Sequence, residues 1–349
     1  MTANDLSTSQ LPSTSVVVCV YTEDRWDAIV ESVSSVQQQS VPVREVVVVV
    51  DHNPSLLSRC KSELRAVVVV PNTGPPGLAG ARNTGVVSSV GAVVAFLDDD
   101  ARAEPDWLAR LLPHYSDPEV LGVGGGIAPD WGGPRPAQLP REFDWVVGCS
   151  YVGLPADASQ VRNLIGANMS IRRSVFDTVG GFAQGLGRVR SRPAGCEETE
   201  LCIRALARLQ SGCFVYEPAA VVHHRVGAER QTWTYFRSRC FSEGRSKAVV
   251  AGLVGAGAGL AAERTYVRRV LPRGVLTGMH DSLHGDPVGL VRAGWIVAGL
   301  SVTTAGYLAG AVTASRERRR PLSLAPALAD GVLDTTRASL VAANPEEAS

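Results

Sequence analysis

Three consecutive aspartates, Asp98 to Asp100, follow the apolar run "VVAFL" and are the residues of this sequence most suited to chemistry. Adjacent carboxylates repel one another unless a positive charge lies among them. The spacing of Asp98 and Asp100 presents two carboxylates to one hard cation, Mg²⁺ or Mn²⁺, which could bridge them to phosphate oxygens. The triplet therefore predicts a metal site for a nucleoside diphosphate. A solvated turn or a helix cap would explain the aspartates alone equally well.

Asp51 follows a second apolar run, "EVVVVV", where the ribose-binding acid of a dinucleotide-binding dehydrogenase would stand. That class needs the pattern GxGxxG in the turn after its first strand, because glycines let the backbone approach the pyrophosphate. The corresponding turn here reads "YTEDRW" and has no glycine, while the glycines of 122–126 come much later. The sequence therefore excludes this class of dehydrogenase.

The elements that must position these acids alternate between strands and helices. Runs rich in β-branched residues predict strands at 15–21, 45–51, 66–70 and 92–98, with helices at about 25–38 and 77–90. This alternation is typical of βαβ units, so we predict an α/β fold with a mostly parallel sheet flanked by helices. Ligands bind at the carboxyl ends of such strands. We therefore expect residues 22–25, Asp51 and the three aspartates on one rim.

The second half of the chain is less regular. We interpret the glycine- and proline-rich passage 122–141 as loops, and predict a strand, a turn and a short helix within 163–182. Apolar residues at helical spacing behind an acidic first turn predict a helix at 196–209. A last strand is predicted near 213–218.

Six stretches of the sequence occur in the order and spacing of a family 2 glycosyltransferase. They are "VVVCVYTEDR", "EVVVVVD", "GLAGARNTGV", "AFLDDD", "IGANMSIRR…VGGF" and "CEETELCIR". The resemblance covers about residues 15–245. Within the family, these stretches look most like those of glucosyl-dolichyl-phosphate glucuronosyltransferases and their prokaryotic relatives. It implies the GT-A nucleotide-diphospho-sugar transferase fold and transfer of a sugar with inversion at the anomeric carbon.

The resemblance also assigns residues to three groups by position. The nucleotide group is Thr22, Glu23, Asp51 (which would bond the base, most often uracil), Arg82, Asp98 and Asp99. The metal group is Asp100 and Asp98, to which a histidine of some relatives adds His224. The sugar and acceptor pocket would include Asn168 and Met169. His223 and His224 could instead simply pack at the end of a strand.

Glu198 stands where many relatives have the aspartate of a "GEDxD" stretch, which is the proposed general base. This chain reads "CEETE" there, so Glu197 remains a second candidate. A carboxylate at this place could take the proton of an attacking hydroxyl, which favours a lipid-linked sugar over a bare lipid phosphate as the acceptor. The alternative is an acidic first turn that only suits the helix dipole.

Three arginines in "GRVRSRPAG", Arg188, Arg190 and Arg192, form a basic stretch before that helix. Guanidinium groups suit both carboxylates and phosphates, so Arg188 and Arg190 could clamp a sugar carboxylate or an acceptor phosphate. A solvated basic loop is an equal alternative.

A run of 22 uncharged residues, 293–314, is long enough to cross a bilayer as a helix. With a cytoplasmic catalytic domain, however, one crossing would put "RERRR" (316–320) on the wrong side of the membrane. A re-entrant or interfacial hairpin removes this conflict. We predict association with the cytoplasmic face of the membrane, and the alternative is a buried helical pair or dimer interface in a soluble protein.

The composition sets limits on this interpretation. The 34 basic and 34 acidic residues cancel, which gives no support to nucleic-acid binding, and the seven cysteines show no CxxC pair. We predict a disordered leader (1–14), a GT-A domain (15–245), a helical membrane-associated region (246–320) and a flexible tail (321–349).

The predicted function is that of a glycosyltransferase that requires Mn²⁺ or Mg²⁺. Its donor would be a UDP-linked sugar, such as glucuronic acid, and its acceptor a hydroxyl of a polyprenyl- or dolichyl-phosphate-linked sugar. The alternatives are a glycosyltransferase acting on a soluble glycan or natural product, and a catalytically silent scaffold that binds a sugar nucleotide.

Overall fold

The computed structural model describes residues 11–184, 186, 195–255 and 261–317, and within them a nine-stranded mixed sheet forms the centre of the molecule. The strands are β1 (Thr14–Val20), β2 (Glu45–Val50), β3 (Val68–Pro71), β4 (Val93–Asp98), β5 (Ala101–Ala103), β6 (Val120–Asp130), β7 (Ser159–Val161), β8 (Asn168–Arg172) and β9 (Cys213–Arg225). Their order across the sheet is β3-β2-β1-β4-β8-β6-β9-β5, and β7 pairs with β9.

Helices cover the sheet. They are α1 (Trp26–Gln37), α2 (Pro54–Glu63), α3 (Leu78–Ser88), α4 (Trp107–Leu111), α5 (Arg173–Val179), α6 (Glu197–Leu209), α7 (Trp233–Val254), α8 (Ala261–Thr265), α9 (Leu271–Leu283) and α10 (Val288–Glu317). A π-helical turn, Tyr266–Val270, joins α8 to α9. The predicted helices at 25–38, 77–90 and 196–209 correspond to α1, α3 and α6.

The first four strands form the predicted parallel βαβ units, since β1 pairs in parallel with β2 and β4, and β2 with β3. The central parts of β1, β2 and β4 are apolar because both of their faces are covered. Val16, Val18 and Val20 pack beneath α1 and α2, whereas Val17 and Val47 pack beneath α3 on the other side. The rest of the sheet mixes antiparallel and parallel pairs, with β8 antiparallel to both β4 and β6.

The interpretation of 122–141 as loops was wrong for its first part. Residues 120–130 form the strand β6, which lies between β8 and β9 in the sheet. A Cβ atom at Gly125 would lie 2.0 Å from the carbonyl oxygen of Ala220, and one at Gly122 would lie 2.7 Å from that of Ser170. The glycines therefore mark the close approach of neighbouring strands rather than turns. The last strand also continues past the predicted 213–218, to Arg225.

The C-terminal helices pack against the rest of the fold. Phe143, Phe236, Leu271 and Ile296 meet in one apolar cluster that joins the segment before β7 to α7, α9 and α10. The predicted domain boundary at 245/246 falls inside α7, which continues without a break to Val254. The predicted leader lies almost wholly, and the predicted tail wholly, outside the described residues.

Candidate active site

A pocket opens where β1, β2 and β4 end, because parallel strands in register finish at the same edge of the sheet. Cys19 of β1 is opposite Asp98 of β4, and Val20 is opposite Val50, so Tyr21, Asp51 and the three aspartates meet at this edge. The N-terminus of α6, with Glu197 and Glu198, forms a second wall. Further walls come from the end of β9 with His224, from the following 3₁₀ turn with Arg230, and from α7 with Arg239 and Glu243.

Asp100 lies at the centre of a buried cluster of charges. One carboxylate oxygen accepts hydrogen bonds from Arg230 at 2.9 Å and lies 3.1 Å from Arg25, and the other lies 3.1 Å from His224 Nε2. Burial alone would raise the pKa of the Asp100 carboxyl, but His224, Arg230 and Arg25 hold it well below its usual range. Burial likewise works to lower the pKa of His224, and the Asp100 carboxylate instead raises it to about 10.

Asp98, Asp100 and His224 each offer a ligand atom, and these atoms all lie within 4.8 Å of one another. Two carboxylates and an imidazole suit a divalent ion such as Mn²⁺, and the imidazole makes the set less suited to Mg²⁺. A bound divalent ion would also supply positive charge beside Asp100, as His224 and Arg230 do in this structure. The residues therefore fit the metal that the sequence predicts.

Asp99 is not part of that set, although it lines the same pocket. Its Oδ1 accepts a hydrogen bond from Arg25 at 2.8 Å, and its Oδ2 is buried with no hydrogen-bond partner among the described residues. Burial and the charge of Asp100 raise the pKa of the Asp99 carboxyl to about 7. Arg25 thus bridges two adjacent aspartates and removes much of the repulsion between them.

Arg82, which the sequence places near the nucleotide, is buried and links the strand ends to α6. It donates to Glu197 at 2.7 Å, to the carbonyl of Gly166 at 2.9 Å and, more weakly, to Asp98 at 3.4 Å. Glu197 is nearly inaccessible, and its second oxygen has no hydrogen-bond partner among the residues described. Glu197 is therefore engaged in holding Arg82.

Both glutamates line the pocket, but Glu198 differs from Glu197 because it is only half-buried. Its carboxylate accepts a hydrogen bond from the Thr199 hydroxyl at 3.2 Å. Burial and the charge of Glu197 raise the pKa of Glu198 to about 8. A carboxylate with a pKa near neutrality is well suited to general-base catalysis. Between the two glutamates that the sequence left open, the geometry favours Glu198 as the base.

Cys196 precedes this pair and has a φ of 72°, a left-handed conformation that is unusual for a residue with a side chain. Its thiol donates to Glu243 of α7 at 3.4 Å, and Glu243 also pairs with Arg239 and Lys247. Burial opposes ionisation of Glu243, but Lys247 and Arg239 lower its pKa. The start of α6 is thereby fixed to α7.

Asp51 lines the pocket with one carboxylate oxygen close to Asn72 (2.6 Å) and His52 (2.8 Å) and the other bound to the backbone N–H of Gly77. Thr22 and Glu23 lie between two residues that line the pocket, Tyr21 and Arg25, in a short 3₁₀ turn. Thr22 caps that turn by accepting from the backbone of Asp24. Their predicted contacts with a nucleotide stay predictions.

Asn168 and Met169 correct the sequence interpretation, because neither lines the pocket. Asn168 is fully buried and donates to the carbonyls of Gly126 and Ala220, while it accepts from the Trp107 indole. Met169 packs in the apolar core opposite Phe96. All the hydrogen-bonding groups of the Asn168 side chain are used to hold three strands and α4 together. Arg188 and Arg190 lie outside the described residues.

Four charged residues that line the pocket were not in the predicted site: Arg25, Arg230, Arg239 and Glu243. Arg25 lies in the predicted rim segment, so its place could have been inferred. Arg239, Glu243 and Lys247 recur every four residues, a spacing that puts opposite charges on one helix face. Nothing in the local sequence distinguishes Arg230, which meets an aspartate 130 positions earlier in the chain.

Comparisons with known proteins show the family to which the chain belongs. Residues 15–180 match the model of glycosyl transferase family 2. The chain is 35% identical over 240 residues to glucosyl-dolichyl phosphate glucuronosyltransferase of Haloferax volcanii, an alignment that covers 68% of this chain and 76% of the relative. It is 26% identical over 238 residues to the succinoglycan biosynthesis protein ExoM of Rhizobium meliloti, covering 66% of this chain and 72% of that protein.

Among solved structures, the chain is similar to a mannosyltransferase from Pyrobaculum calidifontis in complex with GDP-Man and Mn²⁺. The TM-score is 0.53 at 17% identity, and the superposition covers 86% of this chain and 90% of the mannosyltransferase. At this identity the likeness concerns the fold.

Proposed function

The chain belongs to glycosyl transferase family 2, and from this premise we propose that it transfers a sugar from a nucleoside diphosphate to a hydroxyl of a lipid-linked sugar. It is a glycosyltransferase with the GT-A fold. The observation that carries the proposal is that a set of metal ligands and a candidate general base line the same pocket. Asp98, Asp100 and His224 offer a set of metal ligands, and Glu198 offers a base.

The donor is proposed to bind at the ends of β1, β2 and β4. Asp98, Asp100 and His224 would hold Mn²⁺ or Mg²⁺, which when bound offsets the charge that develops on the departing diphosphate. Arg25 and Arg230 lie beside Asp100 and bring guanidinium groups, which suit phosphate oxygens, to the same place. Asp51 is proposed to bond the base, and UDP is the proposed nucleotide.

The acceptor hydroxyl loses its proton as it attacks the anomeric carbon, and Glu198 is proposed to accept that proton. The raised pKa of Glu198 gives it the basicity that this step needs near neutral pH. Glu197 is held by Arg82, so one carboxylate at this place faces the acceptor. A single base with direct displacement inverts the configuration of the anomeric carbon, in agreement with the proposed stereochemistry.

A lipid-linked sugar is proposed as the acceptor for two reasons. The relative from Haloferax volcanii is named as acting on a glucosyl-dolichyl phosphate, and it aligns with 68% of this chain. In addition, α7 forms a wall of the pocket and also packs along the apolar helix α10, which places the pocket beside a surface suited to lipid. The seven cysteines are free thiols, which agrees with a location at the cytoplasmic face.

Calorimetric titration of UDP, GDP and dTDP, with Mn²⁺ and with EDTA, tests the donor site. We expect UDP to bind only with the metal, and Asp100→Ala to abolish that binding. Asp106→Ala is the matched control, because Asp106 is nearby in the chain, does not line the pocket and has a side chain that is 46% exposed. A preference for GDP would change the proposed donor, and folded protein that binds none of the three would contradict the site.

The acceptor is tested by following labelled sugar from a panel of UDP-sugars into organic-phase and aqueous products. Label that enters a polyprenyl- or dolichyl-phosphate-linked sugar supports the proposal. Label that enters only soluble glycans or a natural product supports the second candidate. Tight nucleotide binding without turnover on any acceptor would indicate a silent scaffold.

A further inference from the structure

The helix α10 presents an uncharged face to its surroundings. Residues Val288–Thr313 are long and apolar enough to cross a membrane, and 22% of the most apolar stretch is buried. The exposed positions recur at intervals of three and four residues, and the large apolar ones are Leu290, Val291, Val297, Leu308 and Val312. The structure describes no other helix that meets both conditions.

The opposite face of α10 is closely packed along its length. A Cβ atom at Gly306 would lie 2.1 Å from the carbonyl oxygen of Phe241, and one at Gly299 would lie 2.4 Å from the ring of Phe143. Further along the helix, Gly310 contacts the backbone of Arg245. These glycines let α10 lie directly against α7, as small residues do between helices.

The charges of α7 prevent this pair of helices from entering the bilayer core together. Glu243 and Lys247 form a half-buried ion pair on α7, and Lys247 also pairs with Glu263, which binds Arg162. A spanning α10 would either lose its contacts with α7 or draw these charges into hydrocarbon, and both are unfavourable. Where the apolar face of α10 meets lipid, it therefore does so from the side.

The segment before α10 supplies positive charge and further apolar residues. Arg269, Arg273, Leu276 and Leu283 follow one another at intervals of four, three and seven residues, so they share an exposed face, and Met279 is close by. Leu276, Met279 and Leu283 are 64%, 48% and 85% exposed. The arginines of this segment are exposed and make no salt bridge with the residues that the structure describes: Arg264, Arg268, Arg269 and Arg273.

We infer that α9, α10 and these four arginines form one docking face for the surface of an anionic bilayer, on which α10 lies without crossing. The apolar side chains would enter the interface, and the arginines would bind lipid phosphates and snorkel to the headgroups. The positive charge of this face favours an anionic bilayer over a second copy of the chain, because a second copy would bring four like charges together. The inference deepens the proposed membrane location but does not require the proposed reaction.

Vesicle flotation of the full chain tests the docking face, with phosphatidylcholine alone and with added phosphatidylglycerol. We expect binding to the anionic vesicles, weak binding to the neutral ones, and release by alkaline carbonate because the helix does not span. Replacing the four arginines by glutamine should weaken binding about 100-fold or more, at several-fold for each charge. Leu276→Gln with Leu283→Gln should weaken it as well.

The matched control replaces four exposed arginines of the catalytic half by glutamine: Arg44, Arg65, Arg102 and Arg110. It removes the same net charge and should leave vesicle binding unchanged. UDP titration of each variant shows that the pocket is folded, and thereby separates failure of the docking face from failure of the donor site. Equal binding to neutral and anionic vesicles, resistance to carbonate, or a salt-stable dimer that does not float would overturn the inference.

Discussion

The pocket and the docking face of α9 and α10 use charged residues in opposite ways. In the pocket the carboxylates of Asp100 and Glu197 are buried, and each is held by a buried arginine. On the docking face, Arg268 and Arg273 are exposed and have no ionic partner among the described residues. Buried pairs fix the position and protonation of a group, whereas exposed charges mainly attract what is outside the molecule.

This difference separates two kinds of experimental response. A substitution in the pocket should change catalysis or the free energy of unfolding, because removal of one partner leaves a charge buried without compensation. A substitution on the docking face should leave both nearly unchanged and alter association with lipid. The predictions below test this contrast, beginning with the largest expected effect.

Glu198→Gln should lower kcat about 10²- to 10⁴-fold, which is the usual contribution of a positioned base. Metal-dependent UDP binding should persist, because Glu198 lies on α6 and not in the proposed donor site. Steady-state kinetics and calorimetry on the same preparation measure both quantities. Comparable losses of turnover and of UDP affinity would instead place Glu198 in donor binding.

The same glutamate makes a pH-dependent contribution to stability. Its pKa in the folded protein, about 8, lies above the ordinary value of 4.5, so the fold favours the protonated form. This contribution is fully present below about pH 4.5 and is lost as the pH rises through about 8. Chemical unfolding at several pH values should therefore show the wild type losing stability relative to Glu198→Gln across this window. Parallel curves would contradict the raised pKa.

Arg82→Met should reduce the free energy of unfolding by about 3–5 kcal/mol, because Glu197 is left buried without its partner. Arg268→Met, an exposed arginine on the docking face, should change it by less than about 0.5 kcal/mol. Urea denaturation measures both variants. The double variant Arg82→Met with Glu197→Gln should recover part of the loss. Its failure to do so would show that Arg82 acts by other contacts.

Salt should affect the docking face and the pocket differently in the unmutated protein. Raising the ionic strength from about 0.05 to 0.5 M should weaken binding to anionic vesicles tenfold or more, since exposed charges are screened. UDP binding in the presence of Mn²⁺ should fall by less than about threefold, because the groups of the pocket are largely buried. Titrations at matched salt concentrations measure both. Equal salt dependence would remove the proposed contrast.

Cys196→Gly is the smallest expected effect. Glycine adopts the left-handed conformation without the strain of about 1–2 kcal/mol that a side chain imposes there. The substitution also removes the hydrogen bond from the thiol to Glu243 and increases the conformational freedom of the unfolded chain, and both of these changes are destabilising. The net change in the free energy of unfolding should stay within about 1 kcal/mol. Cys196→Ala keeps the strain and loses the bond, so it should be the less stable of the two by thermal unfolding. The reverse order would mean that the bond outweighs the strain.

Much of the first half of the fold follows from local sequence. Unbroken β-branched runs such as 45–50 form strands that are covered on both faces, and the acids that follow them reach one edge because parallel strands end together. The sequence therefore predicted the shared place of Asp51 and Asp98–Asp100. It also predicted α6 and its acidic first turn, since those residues are adjacent in the chain.

Other features depended on neighbours that are distant in sequence. The glycines of β6 indicated a loop by local criteria, and only their contacts with Ala220 and Ser170 show why a strand needs them. Asn168 resembled a pocket residue, yet the carbonyls of Gly126 and Ala220 enclose it within the sheet. Local propensity carries no information on such close approaches.

The proposed roles of the two glutamates and of α10 likewise depend on distant neighbours. Glu197 and Glu198 are chemically identical, and the sequence could not choose between them. Arg82, 115 positions away, binds Glu197, while Glu198 is only half-buried in the wall of the pocket. The composition of α10 allowed it to cross a membrane, lie on one or be buried. The glycines of α10 allow one face of this helix to pack against the charged helix α7, and the proposed orientation of α10 on the membrane rests on that packing. Packing and the cost of burying charge depend on contacts between elements, so the sequence of one element does not reveal them.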